Sequence, residues 1–252
     1  MPGAVKTVYF HGNPGAPAEL VLLGGEAVQS WLAPDRAALP LDPEARILRL
    51  TSLVTAFGDG EPVRLVGFSA GAHVALQVAA RLPRADLTLH LVSPAGPLET
   101  GDYLAAMAGG PIFRAAMTQP RLFATLVKVQ SLGARWMPGL LTHLLFATAQ
   151  GEDRALKADK HFAQPYREVL RSCLIAGRAS YKAEIEAYVL PWAELLAQVT
   201  HPVTIWQGSC DNWTPPEMAK SLAQRLPNAQ ALHLLEGQSH FSALQTALRT
   251  MA

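Results

Sequence analysis

"LVGFSAG", residues 65–71, joins an apolar run to a stretch of helical character and has the form Gly-x-Ser-x-Gly. Ser69 would occupy the turn itself, where a strand passes sharply into a helix. Gly67 and Gly71 would keep both sides of that turn free of side chains, so that the serine hydroxyl stands above the end of the strand. The five-residue pattern alone is weak, but its position between a strand and a helix predicts a nucleophilic serine.

Short apolar runs alternate with helical patterns on both sides of this turn. Six runs predict strands buried on both faces, because they are nearly continuous in apolar residues. These runs are residues 5–10, 28–34, 62–68, 85–94, 202–208 and 229–237. Alternation of strands with helices predicts right-handed crossovers and a mostly or wholly parallel six-stranded sheet covered by helices. The predicted fold class is therefore α/β.

Residues 95–200 differ from the rest, since they carry helical patterns throughout and no convincing strand. A chain of 252 residues suits one large domain with an insertion. We expect a core in two parts, residues 1–94 and 201–252, interrupted by an inserted helical cap at residues 95–200. The same pattern also allows residues 95–200 to form a second helical domain instead of a cap.

The composition excludes several classes of protein. The net charge is +1 with no long run of either sign, so no nucleic-acid partner is expected. The two cysteines, Cys173 and Cys210, favour free thiols in a reducing compartment, and no histidine has the spacing of a metal ligand. The first ten residues lack the features of a signal peptide, which favours a cytoplasmic location. The longest apolar stretch, residues 136–149, is too short to span a membrane.

Two later stretches supply partners for the serine. "GSCDNWTP" places Asp211 just beyond a predicted strand, and "GQSHF" places His240 just beyond the next one. The carboxyl ends of parallel strands meet at the crevice where such sheets bind ligands. A serine hydroxyl needs a base to take its proton, and the histidine base needs an acceptor on its other nitrogen. Glu99 and Asp102, after the fourth predicted strand, are rivals for the acid, but the sequence favours Asp211.

Together with "HGNPG" (residues 11–15) and "APDR" (residues 33–36), these motifs resemble the α/β-hydrolase superfamily, and within it serine esterases with a helical cap. The resemblance covers the chain outside residues 95–200. It implies Ser69, Asp211 and His240 as the catalytic triad, with the backbone N–H groups of Asn13 and Ala70 as the oxyanion hole. Because the first predicted strand begins near residue 5, we expect a sheet that lacks the N-terminal hairpin usual in the family.

The resemblance also implies a class of reaction. Related dehalogenases and epoxide hydrolases carry a similar "HGNP" stretch but use an aspartate nucleophile, whereas a serine points to acyl transfer. We expect a carboxylesterase-like serine hydrolase that acts through an acyl-enzyme without cofactor or metal. A cap over Ser69 would form an apolar pocket for a small apolar acyl substrate. A carbon–carbon bond hydrolase, a cofactor-free peroxidase and a non-catalytic binding member of the fold remain alternatives, and a homodimer is left open.

Overall fold

A computed structural model describes residues 5–252, and within them a single parallel sheet forms the centre of the molecule. Its strands lie in the order β1-β2-β3-β4-β5 and all neighbouring pairs are parallel. The strands are β1 (Lys6–Phe10), β2 (Val63–Phe68), β3 (Leu87–Val92), β4 (Val203–Gly208) and β5 (Ala229–Leu235). The prediction of a parallel α/β fold is confirmed. The sequence predictions that fall on residues 1–4 lie outside the described residues.

Helices fill the connections between the strands. They are α1 (Ala18–Gly24), α2 (Pro43–Gly58), α3 (Gly71–Ala80), α4 (Gly110–Thr118), α5 (Pro120–Trp136), α6 (Pro138–Leu145), α7 (Asp153–Ala158), α8 (Lys160–Arg171), α9 (Arg178–Tyr188), α10 (Pro216–Arg225) and α11 (His240–Met251). Local sequence accounts for several of their ends. For example, Asp42 caps α2 by accepting a hydrogen bond from the Ala45 N–H at 2.8 Å, and Pro43 supplies the first helical residue.

The prediction of six strands is wrong by one. Residues 28–34 pair with β1 only at Leu32, through one parallel bridge to Val8. Its two hydrogen bonds run from the Tyr9 N–H to the Leu32 carbonyl and from the Leu32 N–H to the Thr7 carbonyl, at 2.8 and 2.9 Å. A 3₁₀ turn at Gly25–Val28 takes up the start of the segment. Pro34 has no N–H with which to continue the pairing, so the strand contracts to a bridge.

Alternate residues of each strand point to two separate cores. Val8, Leu65 and Ile205 belong to the core beneath α2, α3 and α10. Their strand neighbours Tyr9 and Val66 belong to the core beneath α1 and α11. This two-residue period, rather than any polar face, is what a parallel sheet buried on both sides requires.

The segment between β3 and β4 contains α4 to α9, and no strand is found in residues 95–200. Many of its apolar side chains join the core beneath α1 and α11, whereas Tyr188, Trp192 and Leu196 join the core beneath α2, α3 and α10. An aromatic cluster makes this junction, with the ring centroid of Phe146 lying 5.6 Å from that of Phe162, 5.5 Å from that of Tyr166 and 5.1 Å from that of Phe241. No helix among the described residues is long and apolar enough to cross a membrane. The inserted helices are thus packed onto the α/β core by large aromatic side chains.

Candidate active site

Ser69 lies in the turn between β2 and α3 with a φ of 54°, a left-handed conformation that serine rarely adopts. A Cβ on Gly71 would lie 2.1 Å from the carbonyl oxygen of Phe10, so only glycine fits there. A Cβ on Gly67 would lie 2.7 Å from the Cα of Ala72. The two glycines therefore allow the tight turn for the reason that the sequence indicated. Backbone strain of this kind is concentrated at functional sites.

Asp211 and His240 are brought together from the loops after β4 and β5. The His240 Nδ1 and Asp211 Oδ2 atoms are 2.8 Å apart, and both side chains are buried. The other oxygen, Oδ1, accepts hydrogen bonds from the Trp213 and Thr214 N–H groups at 2.8 and 3.1 Å. Burial by itself would raise the pKa of Asp211, but His240 and these two N–H groups bring that pKa below its ordinary value. The acid is thus held ionised beside the imidazole.

The imidazole of His240 lies next to the turn that carries the serine. Its ring centroid is 4.6 Å from that of Phe68, the residue before Ser69, and 5.4 Å from the Trp213 ring, which stacks on it. Within residues 5–252, Ser69 Oγ and His240 Nε2 do not form a hydrogen bond. Such bonds are often long before substrate binds. The structure therefore joins His240 to Asp211 directly and places Ser69 beside them.

Asn13 and Ala70 border the same cavity as Ser69. Neither backbone N–H donates a hydrogen bond to any residue in the described part of the chain. Because backbone N–H groups inside a protein are nearly always paired, two without a partner beside a strained serine are unusual. The Asn13 side chain is held separately, since its Nδ2 donates to Glu184 Oε2 at 2.6 Å.

The cavity over Ser69 has a volume of about 70 Å³ and a mainly apolar lining. The inserted helices supply part of that lining through Ile112, Phe113, Gln130, Leu145, Tyr181 and Ile185. The α/β core supplies Asn13, Pro14, Ser69, Ala70, Trp213 and Thr214, and the chain between β3 and α4 adds Ala95, Met107 and Gly109. The segment between β3 and β4 therefore forms part of the wall of the cavity that contains Ser69.

A buried ion cluster fixes the loop that carries Asn13. Glu184 on α9 accepts hydrogen bonds from Arg36 Nε and Nη2, both at 2.9 Å, and lies 3.0 Å from Arg46 Nη1. Arg36 also donates from Nη1 to the His11 carbonyl at 2.9 Å. Burial alone would raise the pKa of Glu184, but Arg36 and Arg46 hold that pKa below its ordinary value. The cluster thus ties the inserted helix α9 to both ends of the "HGN" segment.

Glu99, one of the two rival acids, has another role. Glu99 Oε1 accepts hydrogen bonds from the Trp192 and Ala193 N–H groups, both at 2.6 Å, and so caps a short helical turn. Asp102 is exposed.

His73, on the helix after Ser69, is buried, which lowers its pKa to about 4. No group of three or more His, Cys, Asp or Glu residues within the described chain is arranged to hold a metal ion.

Sequence reasoning missed three side chains that position the site. Glu19 is fully buried, and its Oε1 accepts from the Tyr9 hydroxyl at 2.6 Å and the Gly12 N–H at 3.1 Å. Asp153 accepts from the Phe241 N–H at 2.9 Å and the Ser242 N–H at 2.8 Å, which caps α11 at the residue after His240. Trp213 stacks on His240. Only Glu19 carried a signal, namely a lone acid among apolar residues after the "HGNPG" loop.

Comparison with known proteins gives the family. The sequence matches the profile of the Alpha/beta hydrolase family over residues 8–251. No curated protein sequence matches the chain significantly. Similar solved structures include a bromoperoxidase from Bacillus anthracis (14% identity, TM-score 0.67, 98% of this chain and 90% of that chain). They also include a thermophilic esterase from Thermogutta terrifontis with malate bound (17%, 0.67, 99% and 88%) and an esterase from Exiguobacterium antarcticum (14%, 0.62, 100% and 91%).

These identities are low, so the solved structures establish likeness of fold and nothing more. The family profile spans both parts of the α/β core and the helices inserted between them. The chain belongs to the alpha/beta hydrolase family.

Proposed function

We propose that this chain is a carboxylesterase-like serine hydrolase that cleaves esters or related acyl substrates. The observation that carries the proposal is the 2.8 Å hydrogen bond between Asp211 and His240 beside the turn of Ser69. That turn is strained, and Ser69 lines the same cavity as Asn13 and Ala70, whose backbone N–H groups have no partner in the described chain. The esterases from Thermogutta terrifontis and Exiguobacterium antarcticum have the same fold, which agrees with this activity.

In the proposed reaction His240 Nε2 takes the proton of Ser69 as its Oγ attacks the substrate carbonyl. The oxyanion that forms accepts hydrogen bonds from the Asn13 and Ala70 N–H groups. His240 then gives the proton to the leaving alcohol, which departs and leaves an acyl-enzyme. A water molecule activated by the same histidine releases the acid and restores the serine. Asp211 keeps the imidazole in the required tautomer, and the reaction needs no metal or organic cofactor.

The cavity favours a short apolar acyl group. Its volume of about 70 Å³ is roughly half of the ~150 Å³ that accommodates benzene in an apolar protein cavity. Each buried CH₂ contributes about 0.8 kcal/mol, so affinity should rise with chain length until the space is filled. The substrate we propose is therefore a small ester with an acyl chain of a few carbons.

Fluorophosphonate labelling followed by intact-mass measurement tests the nucleophile. Wild-type protein should gain one adduct, and Ser69→Ala should gain none. Ser93→Ala is a matched control, because Ser93 is buried at the end of β3 and also has a positive φ, of 43°. Labelling that persists in Ser69→Ala, or that is lost only in Ser93→Ala, would overturn the assignment.

The bromoperoxidase from Bacillus anthracis favours a second candidate activity, since it has this fold. Hydrogen peroxide in place of water would attack the acyl-enzyme and release a peracid from the same intermediate. Bromination of a reporter in the presence of a short carboxylic acid, peroxide and bromide tests it. Peracid formation that depends on Ser69 would add this activity to ester hydrolysis.

A further inference from the structure

The inserted helices carry a concentration of exposed large apolar side chains. Eight of the fourteen large apolar residues recorded as exposed in the described chain lie between residues 117 and 144. They are Met117, Leu122, Val129, Leu132, Trp136, Met137, Leu140 and Leu144. Trp136 is the most exposed of them, at 72%. Scattered single apolar residues are ordinary on a protein surface, but a concentration of this kind marks a site of interaction.

Helix α5 shows how the surface arises. Its buried positions, Phe123, Val127 and Ala134, repeat at helical spacing and pack toward the core. Leu122, Val129 and Trp136 are spaced by seven residues and lie on the opposite side, where a helix of a globular protein normally carries polar residues. The helix is therefore apolar on two faces, one of which packs inside the molecule while the other is open.

A basic stripe borders the open face. Arg121, Lys128 and Arg135 each precede one of those three apolar residues, and all three are exposed. The Arg135 guanidinium lies 5.5 Å from the Trp136 ring centroid. Residues 103–151 contain no Asp or Glu at all, although the whole chain has a net charge of only +1. The outer surface of α5 and α6 thus combines exposed apolar side chains with three basic residues that form no ion pair within the described chain.

We propose that this surface, defined by the eight exposed apolar residues and the stripe Arg121, Lys128 and Arg135, docks on an anionic lipid bilayer. Helices that lie in a membrane interface combine a large apolar face with basic residues at its border, and tryptophan is enriched at that depth. Anionic headgroups would supply the counter-charge that the chain itself lacks near the stripe.

The charge pattern disfavours a second copy of this chain as the occupant. A twofold dimer through this surface would place the basic stripes of both copies at its border. Because residues 103–151 contain no acidic side chain, that segment of either copy offers no carboxylate to the stripe of the other. A lipid headgroup layer neutralises all three charges and accepts the apolar side chains in one contact.

Docking would place the cavity over Ser69 close to the bilayer. Ile112 on α4, Gln130 on α5 and Leu145 on α6 line that cavity from the inner side of the same helices. The helices that carry the docked surface on their outer side therefore also contribute part of the cavity lining on their inner side. Binding does not depend on the proposed hydrolysis and is measured with the Ser69→Ala variant of the full chain.

Co-sedimentation with vesicles tests the proposal. Ser69→Ala should bind phosphatidylcholine vesicles containing about 30% phosphatidylglycerol and should bind pure phosphatidylcholine far more weakly, and added salt should weaken the binding. Each basic residue near an anionic surface contributes about five-fold, so charge reversal of Arg121, Lys128 and Arg135 to Glu should weaken binding by at least 100-fold. Leu132→Ser with Trp136→Ser should also abolish binding.

A matched control replaces Leu48 by Ser and Arg49 by Glu on α2, where both residues are exposed. That control should bind like the parent, and circular dichroism should show all variants folded. The proposal would be overturned if the Ser69→Ala parent did not bind anionic vesicles, or if the control variant lost vesicle binding to the same extent as the charge-reversal variant. Light scattering that shows a dimer dissociated by the Leu132 and Trp136 changes would assign the surface to a second copy instead.

Discussion

Replacing Glu184 by Gln should destabilise the protein strongly, because one carboxylate balances two buried guanidinium groups. Arg36 is 1% exposed, and its Nε and Nη2 both donate to Glu184 at 2.9 Å. Arg46 is buried too, and its Nη2 has no hydrogen-bond partner among the described residues even with Glu184 present. Glutamine has the shape of glutamate but offers one acceptor oxygen and no charge. Removing one partner of a buried ion pair costs about 3–5 kcal/mol.

Urea denaturation measures the free energy of unfolding of both proteins. The loss of unfolding free energy in Glu184→Gln should lower the melting temperature by roughly 10 °C for a chain of this size. Because the neighbouring arginines hold the pKa of Glu184 below its ordinary value, the carboxylate stabilises the fold above its unfolded-state pKa. That stabilisation is lost only as pH falls through the depressed folded-state pKa. The deficit of the variant should therefore be the same at pH 6 and pH 9.

Glu186→Gln is the matched control. Glu186 lies on the same helix and pairs with Lys182, but the two side chains keep 42% and 37% of their surface in contact with solvent. Exposed pairs of this kind contribute about 0.3–0.5 kcal/mol. Glu184→Gln should also lower kcat, because Asn13 Nδ2 loses the carboxylate that holds the loop. A destabilisation below about 1 kcal/mol, or one equal to that of Glu186→Gln, would refute the assignment of Glu184 as the charge that holds this cluster.

Three further predictions follow from the site. Asp211→Asn should fold normally but lower kcat by about 10⁴ in an ester hydrolysis assay, because the amide favours the wrong imidazole tautomer. Glu99→Gln should keep the kcat of the wild type. The reverse ranking of the two variants would assign the acid to Glu99. Burial raises the pKa of Glu19 to about 7, so the neutral form stabilises the fold and that stabilisation is lost as pH rises toward and through 7. Between pH 5 and pH 8 wild type should therefore lose about 2–3 kcal/mol of unfolding free energy in urea that Glu19→Gln does not lose; parallel pH curves would contradict this. In a series of p-nitrophenyl esters from acetate to palmitate, kcat/KM should rise over the first few acyl carbons and then fall, and a flat series would exclude a closed apolar pocket.

Local chemistry explains what the sequence determined by itself. The turn at Ser69 needs glycines at 67 and 71 because backbone atoms lie within 3 Å of where their Cβ atoms would be. The start of α2 needs only a capping side chain followed by proline. The nearly continuous apolar runs predict parallel strands buried on both faces, and the order of the loops after β4 and β5 predicts that Asp211 and His240 meet. Each of these depends on neighbours in the chain and on the common edge of a parallel sheet.

Long-range packing decided the rest. Residues 28–34 have the composition of a strand, yet the turn before them and the proline at their end leave one bridge. Arg36 and Glu184 are 148 positions apart, so no spacing rule could pair them, and their contact arises only where α9 folds back over the core. Helix α5 has apolar residues on two faces, and the sequence does not tell which face is covered. Tertiary packing makes that choice, since the side that meets the core is buried and the other side stays exposed.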